Sequence, residues 1–325
     1  MTFYLCGRLL TTNSCYLNNL LDIQQFQQFD NLEFISKEIV EGFITGLHRS
    51  PFHGFSVEFA EHRLYNTGES TKHLDWKLFA RTDRLFVKQY EEETNLRCQL
   101  VIDTSSSMLF PYEKGKPAKM NKLAFSVYSA AAIMYLLRKQ RDAVGLSLFS
   151  NDIEFHSEAR LSSVHLDLLY NQLGSLLRND ELKLNKKTNT VDALHMIAEN
   201  IHKRSLVILF SDLIDQTGTD ELFEALQHLK YNKHEVLLFH VTDHRQEREF
   251  DFKNQPHRFV DLETGDYIKF STLDLKTNYQ KAISEYFEEL RVKCGQYHID
   301  LTEADINEDF KHVLYTYLLK RKRLF

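Results

Sequence analysis

Cysteine is scarce in this chain, and the little there is carries no pattern. Only Cys6, Cys15, Cys98 and Cys294 occur among 325 residues, with no Cys-x-x-Cys pair. A disulfide framework and a zinc knuckle are therefore not expected, and a reducing, cytoplasmic setting fits best. Proline and glycine are also few, 4 and 11, so no flexible linker of that composition divides the chain. Long apolar runs are missing, which gives no sign of a transmembrane segment. The start, Met1 to Leu21, is broken by Arg8, Thr11, Thr12, Asn13 and Ser14 and does not read as a signal peptide. Residues 1–21 are expected to be a disordered leader. An excess of positive charge is absent too. The net charge is -6, whereas nucleic-acid binders concentrate Lys and Arg to neutralise phosphates. The local exception, Lys320-Arg321-Lys322-Arg323, reads as a solvated helix end. No nucleic-acid partner is expected.

Several enzyme signatures are lacking as well. There is no Gly-x-x-x-x-Gly-Lys-Ser/Thr phosphate loop, no Gly-x-Gly-x-x-Gly, no Gly-x-Ser-x-Gly elbow and no His-Glu-x-x-His. The fifteen histidines are scattered. His234, Glu235 and His240 have the wrong spacing for a zinc helix and fall on an expected strand.

What is present is periodicity. Hydrophobic residues make up 43% of the chain, enough for one large domain or two moderate ones. Residues 22–47 repeat apolar positions at helical spacing. Residues 55–97 alternate short extended runs with turns, so 22–96 reads as a small α+β module. From residue 97 the pattern changes. Short apolar runs (98–102, 143–149, 206–210, 235–241) alternate with helices (119–139, 164–177, 191–202, 221–229, 273–292, 310–321). Leu206 to Phe210 is wholly apolar, as befits a strand buried on both faces. Residues 259–261 and 267–270 look like edge strands. The expectation for 97–325 is an α/β domain: an open, mostly parallel sheet with helices on both faces.

In such folds ligands gather at the carboxyl ends of strands. Asp103 directly follows Leu100-Val101-Ile102, and Asp212 follows Phe210 with only Ser211 between. The loop after the first acid reads Asp103-Thr104-Ser105-Ser106-Ser107, and alternate residues of a short curved loop can point the same way. One carboxylate and two hydroxyls are hard oxygen ligands suited to Mg²⁺, with Mn²⁺ or Ca²⁺ as substitutes. Thr188 stands at the mouth of a helix. Each element has a plain alternative: Asp-x-Ser-x-Ser is equally a turn and helix cap, Thr188 a cap, Asp212 a turn residue. Together, in order and at strand ends, they are more specific than any one alone.

These residues resemble the metal-ion-dependent adhesion site of the von Willebrand factor A family, over about residues 97–300. The resemblance implies that Asp103, Ser105 and Ser107 bind the metal. It further implies that Thr188 binds directly or through water, and that Asp212 acts through water. Lys186-Lys187 replace the glycines often found before that Thr. A second resemblance covers residues 46–110, through Gly54-Phe55, Glu58-Phe59, Arg63-Leu64-Tyr65, Gly68-Glu69, Leu74-Asp75-Trp76, Ala80-Arg81, Leu85-Phe86-Val87-Lys88 and Glu91. It is similar to the bacterial family named domain of unknown function fifty-eight, whose members are typically encoded beside MoxR-type AAA+ ATPases. The implied function is a non-enzymatic, metal-dependent interaction module. Its partner offers an acidic side chain and is a MoxR-type ATPase or that ATPase's substrate. The alternatives are a metal-dependent phosphohydrolase and a structural scaffold with a vestigial site.

Overall fold

The structure, a computed structural model, describes residues 31–48, 62–64, 81–82, 86–88, 96–112, 120–178, 189–213, 219–252, 256–263 and 267–324. The expected leader, most of the signature between Gly54 and Glu91, and Thr188 lie outside them.

Contacts divide the chain into two units: residues 1–43 with 96–325, and residues 44–95. In the smaller unit the described elements are β1 (His62–Leu64) and β2 (Phe86–Lys88), paired antiparallel. In the larger unit α1 (Leu32–His48) contributes its first twelve residues, so the smaller unit starts at residue 44 and ends at 95, beside the change of pattern at 97. The cause is apolar: Ile35, Ile39, Val40 and Phe43 form one buried stripe. Beside that stripe Ser36 lies 3.4 Å from the Tyr170 hydroxyl, and Glu33 pairs with Arg138.

The larger unit is built on six strands: β3 (Arg97–Asp103), β4 (Ala143–Phe149), β5 (Ile153–Arg160), β6 (Leu206–Ser211), β7 (Glu235–Thr242) and β10 (Asp300–Asp305). Their order is β10-β7-β6-β3-β4-β5, all parallel except the antiparallel edge β5. Every residue of β4 and β6 is buried, as is β3 from Cys98 onward. That is the burial a parallel sheet covered on both faces produces. Against one face, α4 (Thr190–Asn200), α5 (Thr219–Tyr231) and α6 (Thr272–Gln296) pack on Val101, Val207, Leu209, Val236 and Leu238. The remaining helices are α2 (Lys122–Lys139), α3 (Ser163–Arg178) and α7 (Lys311–Leu324). α2 is buried at 14 of its 18 positions, so a charged residue within it has to find a partner. No helix among the described residues is long and apolar enough to cross a membrane.

Three sequence expectations change. Residues Pro256–Val260 (β8) and Tyr267–Ser271 (β9) pair with each other as a separate antiparallel ribbon, not as edges of the main sheet. The true edge beside β7 is β10, a strand the sequence hid behind alternating acids. The basic tail is not simply solvated. Lys320 pairs with Glu235 at 2.8 Å and Asp300 at 2.7 Å, and Arg321 holds the buried Asp142 at 2.8 Å. Those cations are neutralised within the fold. Cys98 and Cys294 are buried free thiols.

Candidate functional site

Strand order creates the crevice. From β3 the chain moves outward to β4 and β5, then returns to place β6 on the other side of β3. The carboxyl ends of β3 and β6 therefore flank the point where the winding direction reverses, the ligand position of open α/β sheets. Register sets their level: Ile102 lies opposite Phe210, and Asp103 opposite Phe149. Asp103 and the Ser211-Asp212 pair thus emerge side by side.

The loop after β3 sends alternate residues in different directions. Thr104 faces β4, where its backbone N–H and hydroxyl both donate to the Phe149 carbonyl, at 2.7 and 2.8 Å. Ser105 and Ser107 turn the other way, their Oγ atoms 2.9 Å apart. A short 3₁₀ turn, Ser106–Leu109, fixes this curvature, and the Ser105 hydroxyl does not cap it. Asp103 is fully buried. Its Oδ1 accepts from the Ser105 N–H at 2.9 Å, and its Oδ2 accepts from the Ser211 hydroxyl at 2.7 Å. The first of these is an Asx-type turn, so the plain alternative holds in part for Asp103 and fails for Ser105.

Asp212, also buried, follows β6 directly. Its backbone carbonyl accepts from His240 Nε2 at 2.9 Å. Burial lowers the His240 pKa to about 4 against the pull of Asp212. The ring is therefore neutral, with its proton on Nε2. Leu213, next in the chain, is buried with φ 53°. A left-handed non-glycine residue costs about 1–2 kcal/mol. It is held there by its N–H on the Ser211 hydroxyl at 2.9 Å and its carbonyl on the Tyr286 hydroxyl at 2.7 Å.

The residue that sequence reasoning missed is Lys122, in the first turn of α2. Its ammonium, 1% exposed, lies 2.7 Å from Asp212 Oδ2 and 2.8 Å from Glu247 Oε1. Burial opposes its charge, but Asp212 and Glu247 carry its pKa above the ordinary lysine value. Glu247 sits on a single wide helical turn, His244–Arg248, after β7. Its other oxygen accepts from the Asp243 N–H at 2.8 Å. Burial raises the Glu247 pKa, with Lys122 acting in the opposite direction. The all-round burial of α2 was the available signal for Lys122. Nothing in the sequence links it to Glu247, 125 positions away.

Of the predicted ligands, then, the structure brings Asp103, Ser105 and Ser107 together and sets Asp212 beside them with a lysine on its carboxylate. Thr188 is not described. Its neighbour Asn189 is: the Asn189 N–H donates to the Ser150 carbonyl at 3.0 Å, and its side chain caps α4 at Asp192. The capping role considered for Thr188 thus belongs to Asn189.

Whether these groups suit a cation can be tested on distances and charge. Two neighbouring ligands of an octahedral Mg²⁺ at about 2.1 Å stand about 3 Å apart. The Ser105 and Ser107 oxygens meet that condition. Asp103 is a buried carboxylate, and among the described residues no cationic side chain lies on either oxygen. Burial and the charge of Asp212 raise its pKa from 3.8 to about 7, against hydrogen bonds from Ser105 and Ser211. Such a group is short of positive charge. The donor set fits a hard divalent ion. No group of three or more His, Cys, Asp or Glu among the described residues could hold a metal by itself, so any such site depends on hydroxyls.

Residues 61–289 match the family described as Protein of unknown function DUF58. The chain belongs to this family. The matched span holds every residue of the crevice, from Asp103 to Glu247. Among curated relatives of this DUF58 member, uncharacterized proteins of Mycobacterium bovis and Mycobacterium tuberculosis are 24% identical over 214 residues, 66% of the chain. The aligned stretch spans 64% of those relatives' length. Among solved structures, the conserved hypothetical protein BatB from Bacteroides thetaiotaomicron is 13% identical with a TM-score of 0.41, covering 70% of this chain and 99% of that one. An aerotolerance-related membrane protein from Bacteroides fragilis, also 13% identical, has a TM-score of 0.38 and covers 68% and 99%. Likeness of that grade bears on neither activity nor partner.

Proposed function

We propose that this chain is a non-enzymatic, metal-dependent protein-interaction module of the von Willebrand factor A type. In this reading it acts in the cytoplasm as an adaptor or substrate-recognition partner of a MoxR-type AAA+ ATPase. The observation that carries the reading is the pairing of the Ser105 and Ser107 hydroxyls 2.9 Å apart beside the buried Asp103. They stand at the carboxyl end of β3, with Asp212 across the crevice. Asp103, Ser105 and Ser107 would hold Mg²⁺, Mn²⁺ or Ca²⁺. Thr188 completes the set in the family pattern, and Asp212 stands behind it. When bound, the ion supplies an electrophilic position for an acidic side chain of the partner. The mostly parallel six-stranded sheet flanked by helices supports this reading. Asn189 donates its N–H to the Ser150 carbonyl just beyond β4, so residue 189 stands at this end of the sheet.

Asp103 is poorly disposed to be a nucleophile, which favours binding over phosphohydrolysis. It is fully buried, and both its oxygens already accept hydrogen bonds. A vestigial scaffold remains the third reading, and a capture experiment separates the three. The tagged chain is presented with a MoxR-type AAA+ ATPase, in Mg²⁺ and in EDTA. Capture in Mg²⁺ alone, lost in Asp103→Ala, is the expected outcome. Equal capture in both buffers would point to the scaffold. Turnover of a generic phosphate ester that Asp103→Asn abolishes would point to the hydrolase.

A further inference from the structure

Burying an ammonium among protein atoms costs several kcal/mol even when it is paired, and a well-packed apolar residue often serves stability as well. Lys122 nevertheless spans two carboxylates from different parts of the chain, Asp212 at the end of β6 and Glu247 beyond β7. Its first-turn position on α2 is fixed by the Asn121 cap, whose side chain accepts from the Ala124 N–H at 2.7 Å. Glu247 is fixed from the other side by the Asp243 N–H. The ammonium is therefore held in place from both ends, on the acid that follows Ser211, whose hydroxyl donates to Asp103.

We propose that Lys122 is a positioning residue that sets the charge of the cation site, with Glu247 as its partial counterweight. The proposal rests on the reading that Asp103, Ser105 and Ser107 hold a divalent ion. Lys122 occupies Asp212 Oδ2 and so keeps that oxygen from direct coordination. Of the two crevice acids, Asp212 carries this ammonium, while among the described residues Asp103 takes hydrogen bonds from Ser105 and Ser211 instead. The fixed positive charge weakens the hold on a cation and strengthens that cation's demand for an external acid. Glu247 works in the opposite sense. Metal affinity and partner affinity are thereby traded against each other by two residues that touch neither.

The signs make this testable. Mn²⁺ alone is titrated calorimetrically into the full chain at about pH 8. A unit charge within about 4–6 Å shifts a carboxylate's proton affinity about tenfold or more, and a similar factor is expected for a cation in this crevice. Lys122→Met should bind Mn²⁺ about tenfold tighter than the wild type. Glu247→Gln should bind it several-fold more weakly. A merely structural role would weaken binding in both variants. The double variant Lys122→Met/Glu247→Gln removes one charge of each sign and should stay within about threefold of the wild type. If Lys122→Met does not fold, Glu247→Gln and the double variant decide. Wild-type binding with no tightening in Lys122→Met, or with no weakening in Glu247→Gln, overturns the charge-setting role and leaves the metal site standing. No Mn²⁺ binding by the wild type overturns both.

Discussion

Asp103→Asn removes the ionisable group buried at the carboxyl end of β3. In the metal-free protein, burial and the charge of Asp212 raise the Asp103 pKa from 3.8 to about 7. A raised acid pKa means that the folded state holds the proton more tightly than the unfolded chain does. Its stabilising contribution is fully present below pH 3.8 and is lost as pH rises through 7. At about 1.4 kcal/mol per pH unit the whole loss is on the order of 4 kcal/mol. About half of it, about 2 kcal/mol, falls between about pH 5.5 and 8. Asparagine is close to isosteric with the acid. It can still accept from the Ser105 N–H, and the Ser211 hydroxyl can rotate to accept from it, but it does not ionise. In EDTA, denaturant unfolding of the wild type should therefore lose about 2 kcal/mol more over this interval than Asp103→Asn does. Saturating Mg²⁺ should flatten the wild-type profile, because a bound cation holds the carboxylate ionised. Parallel pH profiles for the two proteins in EDTA would refute the claim that Asp103 is a buried acid short of positive charge.

Two further expectations concern the scaffold around the crevice. A Cβ at Gly145 would lie 2.1 Å from Gln99 Oε1, 2.6 Å from the Ser157 carbonyl and 2.8 Å from the Ala159 nitrogen. Gly145→Ala should therefore cost at least about 3 kcal/mol by chemical denaturation, since backbone must move; a cost below 1 kcal/mol would show that β4 and β5 are less tightly joined than described. Lys320→Met removes the ion pairs to Glu235 and Asp300, whose side chains are 40% and 37% exposed. Water screens that loss, so about 1 kcal/mol is expected, most of it at low salt, and an unchanged or raised melting temperature would remove the tail from the account.

How far the sequence was legible follows physical lines. Leu206–Phe210 read correctly because a strand covered on both faces needs no polar residue. The helix expected over 119–139 and found at Lys122–Lys139 is legible because its apolar run is long and free of glycine and proline. Asp300–Asp305 escaped because an edge strand can carry Asp300, Glu303 and Asp305 without burying them. Phe259 and Tyr267 were assigned to the main sheet because a short extended run looks the same in a ribbon as at an edge. The acids and hydroxyls of the crevice were visible because they lie within five residues of one another at one strand end, or directly follow the strand beside it. Lys122 and Glu247 were not. Each is an ordinary charged residue locally, and only folding brings them to one point. The basic tail misled for the same reason, since its partners Asp142, Glu235 and Asp300 are distant in the chain.

A hard cation trapped by the β3 loop would be seen by anomalous scattering. Crystals grown with Mn²⁺ should show one anomalous peak within about 2.2 Å of an Asp103 carboxylate oxygen and both the Ser105 and Ser107 hydroxyls. Asp212 should remain on Lys122, and Thr188 should face the ion. A map without a peak there at saturating Mn²⁺, or with Thr188 turned away and the two serine hydroxyls still bonded to each other, would contradict it.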